Sequence, residues 1–226
     1  MKKIKNLVVN LCIVAVVAAL GLVALWPTED TETFAPMRGG STPKTVALTV
    51  NVYLNTECVL ALADTLAGYG QTATFFLGGC WVAKNTETLK KLVQSGFCIG
   101  SHGYSHYDHS KLSYQENLAE MQKATDLIEG LSGRKIHLFA PPSGAYSTDT
   151  LRAAETLSHT VVMWTKDTID WRDQDVEVIV KRATQNMGDG EVILLHPTPA
   201  TVQALPRIIE SYLAHGYRFV TVEDML

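Results

Sequence analysis

An α/β fold on a parallel sheet, preceded by one apolar segment long enough to cross a membrane, is the architecture that this 226-residue sequence predicts. Three observations predict it. Short β-rich runs take turns with stretches of helical spacing along most of the chain. Those runs are nearly continuous in apolar residues, as strands covered on both faces must be. A third apolar stretch, far longer, opens the chain directly after a lysine cluster. With 46% hydrophobic and 19% charged residues, the chain suits one domain of ordinary size with an appendage. Its 16 Gly and 8 Pro exclude collagen-like or low-complexity classes. The 23 acidic groups outnumber 19 basic ones, and no Lys/Arg run follows the first five residues, which argues against a nucleic-acid partner.

Lys2, Lys3 and Lys5 precede the apolar run at 7–26, which only Asn10 and Gly21 interrupt. A cleavable signal has an apolar core of about 7 to 15 residues, whereas about 20 span the hydrocarbon. Residues 1–26 therefore read as a cytoplasmic stub and an uncleaved signal-anchor transmembrane helix. Lysines before the span and Glu29, Asp30 and Glu32 after it place the remainder outside the cytoplasm. Residues 27–44 carry Pro, Thr, Gly and charge without apolar periodicity, and read as a flexible linker to a body at 45–226. Cys12, Cys58, Cys80 and Cys98 show no C-x-x-C spacing, so the last three are expected as small buried thiols, with one bridge among them left open.

Within the body the expected strands are VALTV (46–50), ATFFL (73–77), CIGS (98–101), HLFA (137–140), TVVMW (160–164), EVILL (191–195) and RFVTV (218–222). Leu60, Leu62 and Leu66 mark one helix, and Leu89, Leu92 and Val93 another. Ser113 and Glu116 form a capping box that opens a helix running to about Leu131, with Gly130 and Gly133 near its end. Strand and helix in turn give either an open doubly wound sheet or a barrel. No G-x-G-x-x-G follows the first strand, which removes the main support for a dinucleotide fold.

Polar residues gather where the strands end, the place where parallel barrels carry their chemistry. Asn51 follows the first strand; His102 and His106 the third; Pro141, Pro142 and Ser143 the fourth; Asp167 and Asp170 the fifth; His196 the sixth. Two imidazoles four residues apart face the same way and suit one metal ion. Asp108 and His109 read as solvated loop residues, and His137, His159 and His215 as structural. His196 leaves a dry strand and suits a general acid, with Asp167 expected to hold its ring and raise its pKa. Asp173 reads as the cap of the next helix and Trp171 as an apolar wall.

Taken in order, these residues resemble the polysaccharide deacetylase (NodB homology) family of carbohydrate esterases. The motifs that carry the resemblance are Thr49-Val-Asn-Val-Tyr53 where TFDDG is usual, His102-Gly-Tyr-Ser-His106, Ala140-Pro-Pro-Ser143, Asp167-Thr-Ile-Asp-Trp171 and Leu194-Leu-His196. The resemblance implies a distorted (β/α)7-type barrel, a divalent metal held by one Asp and two His, and hydrolysis of N-acetyl groups on cell-wall glycan or peptidoglycan. It implies metal ligation by His102 and His106, with zinc or cobalt as the ion. It also implies an acid role for His196 with Asp167, and substrate contacts from Pro141, Ser143, Trp171 and Leu194. Asn51 stands where the family has its base, Val52 where it has the metal Asp, and Ala140 where it has the Arg paired with that base. Asn-Val in the first motif and His196-Pro-Thr198 in the fifth are similar to the divergent YlxY-like branch. The expectation is a membrane-anchored deacetylase-like protein with a weakly held metal. The alternative is an inactive glycan-binding pseudoenzyme of the envelope.

Overall fold

A computed structural model describes residues 35–226. Within them lie strands β1 (Thr45–Val52), β2 (Thr74–Leu77), β3 (Cys98–Ser101), β4 (Leu138–Phe139), β5 (Thr160–Val161), β6 (Lys166–Asp167), β7 (Glu191–Leu195) and β8 (Arg218–Val220). The helices are α1 (Thr56–Gly68), α2 (Gly79–Val82), α3 (Thr86–Gln94), α4 (Tyr114–Ser132), α5 (Thr148–Thr156), α6 (Val176–Thr184) and α7 (Pro199–Ala214). All pairings between these strands are parallel, in the order β5-β4-β3-β2-β1-β7-β6, with β8 added on β1. The sheet curls into a half-barrel, and its end strands β5 and β6 do not pair with each other, so the expected barrel is formed only in part.

Period-two alternation along β1 builds the layers. Val46, Leu48, Val50 and Val52 join Leu62, Leu66, Ile208 and Tyr212 in the core between sheet and helices, while Ala47 joins Phe76, Leu138, Val162 and Val192 in a second core. Helix α4 starts with the expected box, Ser113 and Glu116 each bonding the other's backbone, and stops where Gly133 takes φ +69°.

Several expectations are corrected. The fourth and fifth strands are two residues each, and beyond Val161 the TVVMW run keeps only a single bridge, from Val162 to Met37. Strand β6 went unexpected because Lys166–Asp167 carries no apolar signal; register with Ile193 and Leu194 of β7 creates it. Asp175 caps α6 in place of Asp173, which instead binds Arg172 and Arg182. The described part of the expected flexible linker is a strap on the body. Met37 donates to Val161 O and accepts from Met163 N, both at 2.8 Å, and Gly40 N donates to Gly190 O at 2.8 Å. Gly190 has φ +66°, and a Cβ there would lie 1.9 Å from Gly40 O, so both backbone shape and space demand glycine.

The apolar run at 7–26 lies outside the described residues, and among the described residues no helix is long and apolar enough to cross a membrane. Cys58, Cys80 and Cys98 are free, with no bridge among them, and half-buried rather than buried.

Candidate active-site cleft

A cleft of about 360 Å³ opens at the C-terminal ends of the strands. It brings together Asn51, His102, His106, Ser143, Asp167, Trp171, Leu194 and His196 from separate strand ends, with Trp164 as a further wall.

His102 follows β3 and continues its ladder, His102 N donating to Leu77 O at 2.9 Å. Its Nδ1 lies 2.7 Å from Ala140 O. A carbonyl can only accept, so Nδ1 carries the hydrogen and Nε2 keeps a lone pair. Burial of the ring pushes its pKa down to about 3, with His106 adding to the fall. His106 has φ +60° and packs its ring against Tyr53 at 4.6 Å and His102 at 5.2 Å. Burial lowers its pKa too. Glu120 of α4 pins the intervening loop, accepting from Tyr104 N, Ser105 N and Ser105 Oγ at 3.2, 2.8 and 3.0 Å. Asp108 is solvated as expected and pairs with Lys111. His109 is not: it is fully buried, bonds Asn117 Oδ1 at 2.7 Å and stacks on Phe139.

The partner of His196 is Asp170, not the expected Asp167. Asp170 Oδ1 lies 2.8 Å from His196 Nδ1, and its Oδ2 accepts from His196 N and Thr201 Oγ1, each at 2.7 Å. Asp170 is fully buried, so this carboxylate is shut off from bulk solvent and met by three donors. Asp167 stays at the cleft wall in register with Leu194, its Oδ1 accepting from Ile169 N at 2.8 Å. That short turn holds Ile169 at φ +52°, a costly conformation for a β-branched residue, and it is what turns Asp170 toward β7. Arg182 fixes the same loop by donating to Thr168 O and Asp173 Oδ2.

Ser143 takes φ +56° on the cleft rim, and Trp171 stands 58% exposed at its mouth. Leu194 forms an apolar wall, whereas the buried Pro141 sits behind the lining residues. Trp164, Thr201, Glu120 and Arg182 were missed, because each acts through long-range packing that carries no local signal.

On the first motif the two substitutions part company. Asn51 lines the cleft at 5% exposure, and its Oδ1 has no hydrogen-bond partner. Val52 is fully buried with the helix-side core. The donor set for a divalent ion is thus two imidazoles, and among the described residues no group of three His, Cys, Asp or Glu is placed to hold one. These residues do not fit a one-Asp, two-His metal site.

The polysaccharide deacetylase family model matches residues 38–162. The chain belongs to this family. Among curated relatives of this polysaccharide deacetylase homologue, the protein YlxY of Bacillus subtilis is 33% identical over 88% of this chain and 64% of its own length. The peptidoglycan-N-acetylmuramic acid deacetylase PdaC of the same organism is 34% identical over 80% of this chain and 38% of its own. The chain therefore spans less than two thirds of these relatives. A CE4 family pseudoenzyme from Bacillus anthracis superposes with TM-score 0.83 at 32% identity, covering 87% of this chain and 70% of that one. A mutant of that pseudoenzyme has restored enzymatic activity and superposes with the same TM-score at 31% identity, covering 87% of this chain and 72% of that one.

Proposed function

We propose that this protein is a membrane-tethered, extracytoplasmic member of the family that binds cell-wall glycan and has lost metal-dependent deacetylation. The position of Val52 carries the reading. Its isopropyl group belongs to the core behind the sheet, so the cleft keeps two neutral imidazoles and no carboxylate beside them. Zinc or cobalt on such a pair is held weakly, without the charge that a carboxylate ligand adds. Asn51 compounds the loss, since an amide takes up no proton and a general base contributes about 10² to 10⁴ in rate. What persists is a cleft of about 360 Å³ with Trp171, Trp164 and Leu194 as apolar walls and polar groups between them. The similar pseudoenzyme from B. anthracis supports this direction.

A second reading, residual hydrolysis on a substituted base, draws support from the Asp170–His196 pair, whose geometry suits a leaving-group acid. Acetate release from N-acetylglucosamine oligomers and peptidoglycan, with zinc or cobalt supplied, separates the two. Wild type and His102→Ala are expected to be equally silent while the glycan still binds in titration. Acetate released by wild type and lost in His102→Ala overturns the first reading. Body domain sensitive to external protease, with the chain kept in the membrane fraction, is the expected result for the anchor; release of a chain starting after residue 26 refutes it.

A further inference from the structure

We infer that the glycan unit selected by the cleft carries a free amine, an amino sugar already stripped of its N-acetyl group and bound through its ammonium. This rests on the glycan-binding reading above and names the chemical form of the glycan.

Four polar atoms around the cleft are placed as acceptors, beside the donors that Ser143 and the Trp164 and Trp171 indoles bring to its walls. Asn51 Oδ1 is buried and unpartnered. His102 spends its Nδ1–H on Ala140 O, which leaves Nε2 as a lone pair. His196 directs Nδ1 at the Asp170 carboxylate, which likewise leaves Nε2 as the free nitrogen. Asp167 uses Oδ1 on Ile169 N, so Oδ2 is the oxygen left for a ligand. Exchange of the two ends of the Asn51 amide removes one acceptor and leaves the other three.

Charge points the same way. No Lys or Arg lines the cleft among the described residues, while Asp167 stands in its wall and Asp170 lies buried directly behind His196. An ammonium brings three N–H donors and one positive charge to such a site. An acetamide brings one N–H, no charge and a carbonyl that competes for donors. The apolar walls of Trp164, Trp171 and Leu194 are equally suited to the C–H face of either sugar ring. The ligand so defined is the product of an N-deacetylation, which places this protein after a hydrolase that releases acetate from the same glycan.

The test is calorimetric titration of the full-length protein in detergent, with chelator present and at near-physiological salt. The N-acetylglucosamine tetramer is compared with its fully de-N-acetylated tetramer. The amine form is expected to bind at least about tenfold tighter in wild type. Asp167→Asn keeps an oxygen for Ile169 N, and there the two forms are expected within about threefold of each other. Glu87→Gln, on an exposed surface carboxylate, should leave the wild-type preference intact. Equal or tighter binding of the N-acetylated tetramer overturns the inference and leaves the glycan-binding reading standing. A preference that persists in Asp167→Asn shows general attraction of a polycation to an acidic protein, and also overturns it. Failure of both tetramers to bind wild type overturns the glycan-binding reading and the inference with it.

Discussion

Acid should unfold this protein well before its carboxylates titrate, and His102 allows the size to be worked out. Its ring is 2% exposed, donates to Ala140 O, and has its pKa pushed down from 6.5 to about 3. Between those values the unfolded chain binds a proton that the folded chain excludes, so stability rises with pH across the window and is lost as pH falls through it. From pH 7.5 to 4.5 the unfolded imidazole goes from about one tenth to almost fully protonated, which removes about 3 kcal/mol of stability through this residue alone. His109 and His159 are buried with lowered pKa values and add loss of the same sign. Urea unfolding of wild type and His102→Asn at pH 7.5, 6 and 4.5 isolates the first contribution. Asparagine keeps an N–H near Ala140 O but does not titrate. The variant is expected to start less stable and to lose about 2 to 3 kcal/mol less than wild type over the window. Parallel losses in the two proteins refute the reasoning, because they would mean that His102 ionises alike in folded and unfolded chains.

Val52→Asp should lower the urea midpoint in chelator, since the new carboxylate replaces a fully buried apolar group, and should tighten zinc binding measured by calorimetry by turning at the strand's end from that core toward the histidines. Zinc should restore part of that midpoint; unchanged affinity would mean that the carboxylate never reaches the histidines. Lys166→Met should destabilise by about 3 to 5 kcal/mol, because Lys166 Nζ holds Glu191 Oε2 at 2.8 Å and Gln185 O at 2.7 Å in a nearly dry joint between β6, β7 and α6. Adding Glu191→Leu should recover much of the loss in the same urea assay, and a double variant weaker than the single would show that the pair itself supplies net stability.

The sheet was legible because burial on both faces leaves apolar runs that need no context: EVILL is β7 residue for residue, and CIGS is β3. Helix α4 was equally plain, since its capping box is a local arrangement of side chain and backbone. Elements that exist only through partners were not. Strand β6 is polar and owes its form to β7, and the strap at Met37 owes its form to Val161 and Met163. The site divides the same way. Strand ends named Asn51, His102, His106, Asp167 and His196, and the fold gathers them all. Which Asp meets His196 depended on a single turn closed by Asp167 and paid in backbone strain at Ile169, and composition carries no trace of that turn.

The Asp170–His196 pair, beside two histidines with no carboxylate to complete a metal site, does not by itself argue for hydrolysis. Asp170 accepts from His196 N as well as from the ring, and from Thr201 in the first turn of α7, so one buried carboxylate ties the loop after β6 to the end of β7 and the start of α7. Its removal would orphan a backbone N–H and a buried hydroxyl, a loss of about 1 to 3 kcal/mol for each whatever the chemistry. Asn51 and Val52 carry no such duty: the one has an unpartnered oxygen, and the other is an apolar residue in an apolar core. Stability therefore protects the acid half of the site and leaves the base and metal half free to change. On the proposed reading, a cleft that keeps the Asp170–His196 pair and lacks a carboxylate beside His102 and His106 is the outcome that those unequal constraints produce without selection for a reaction.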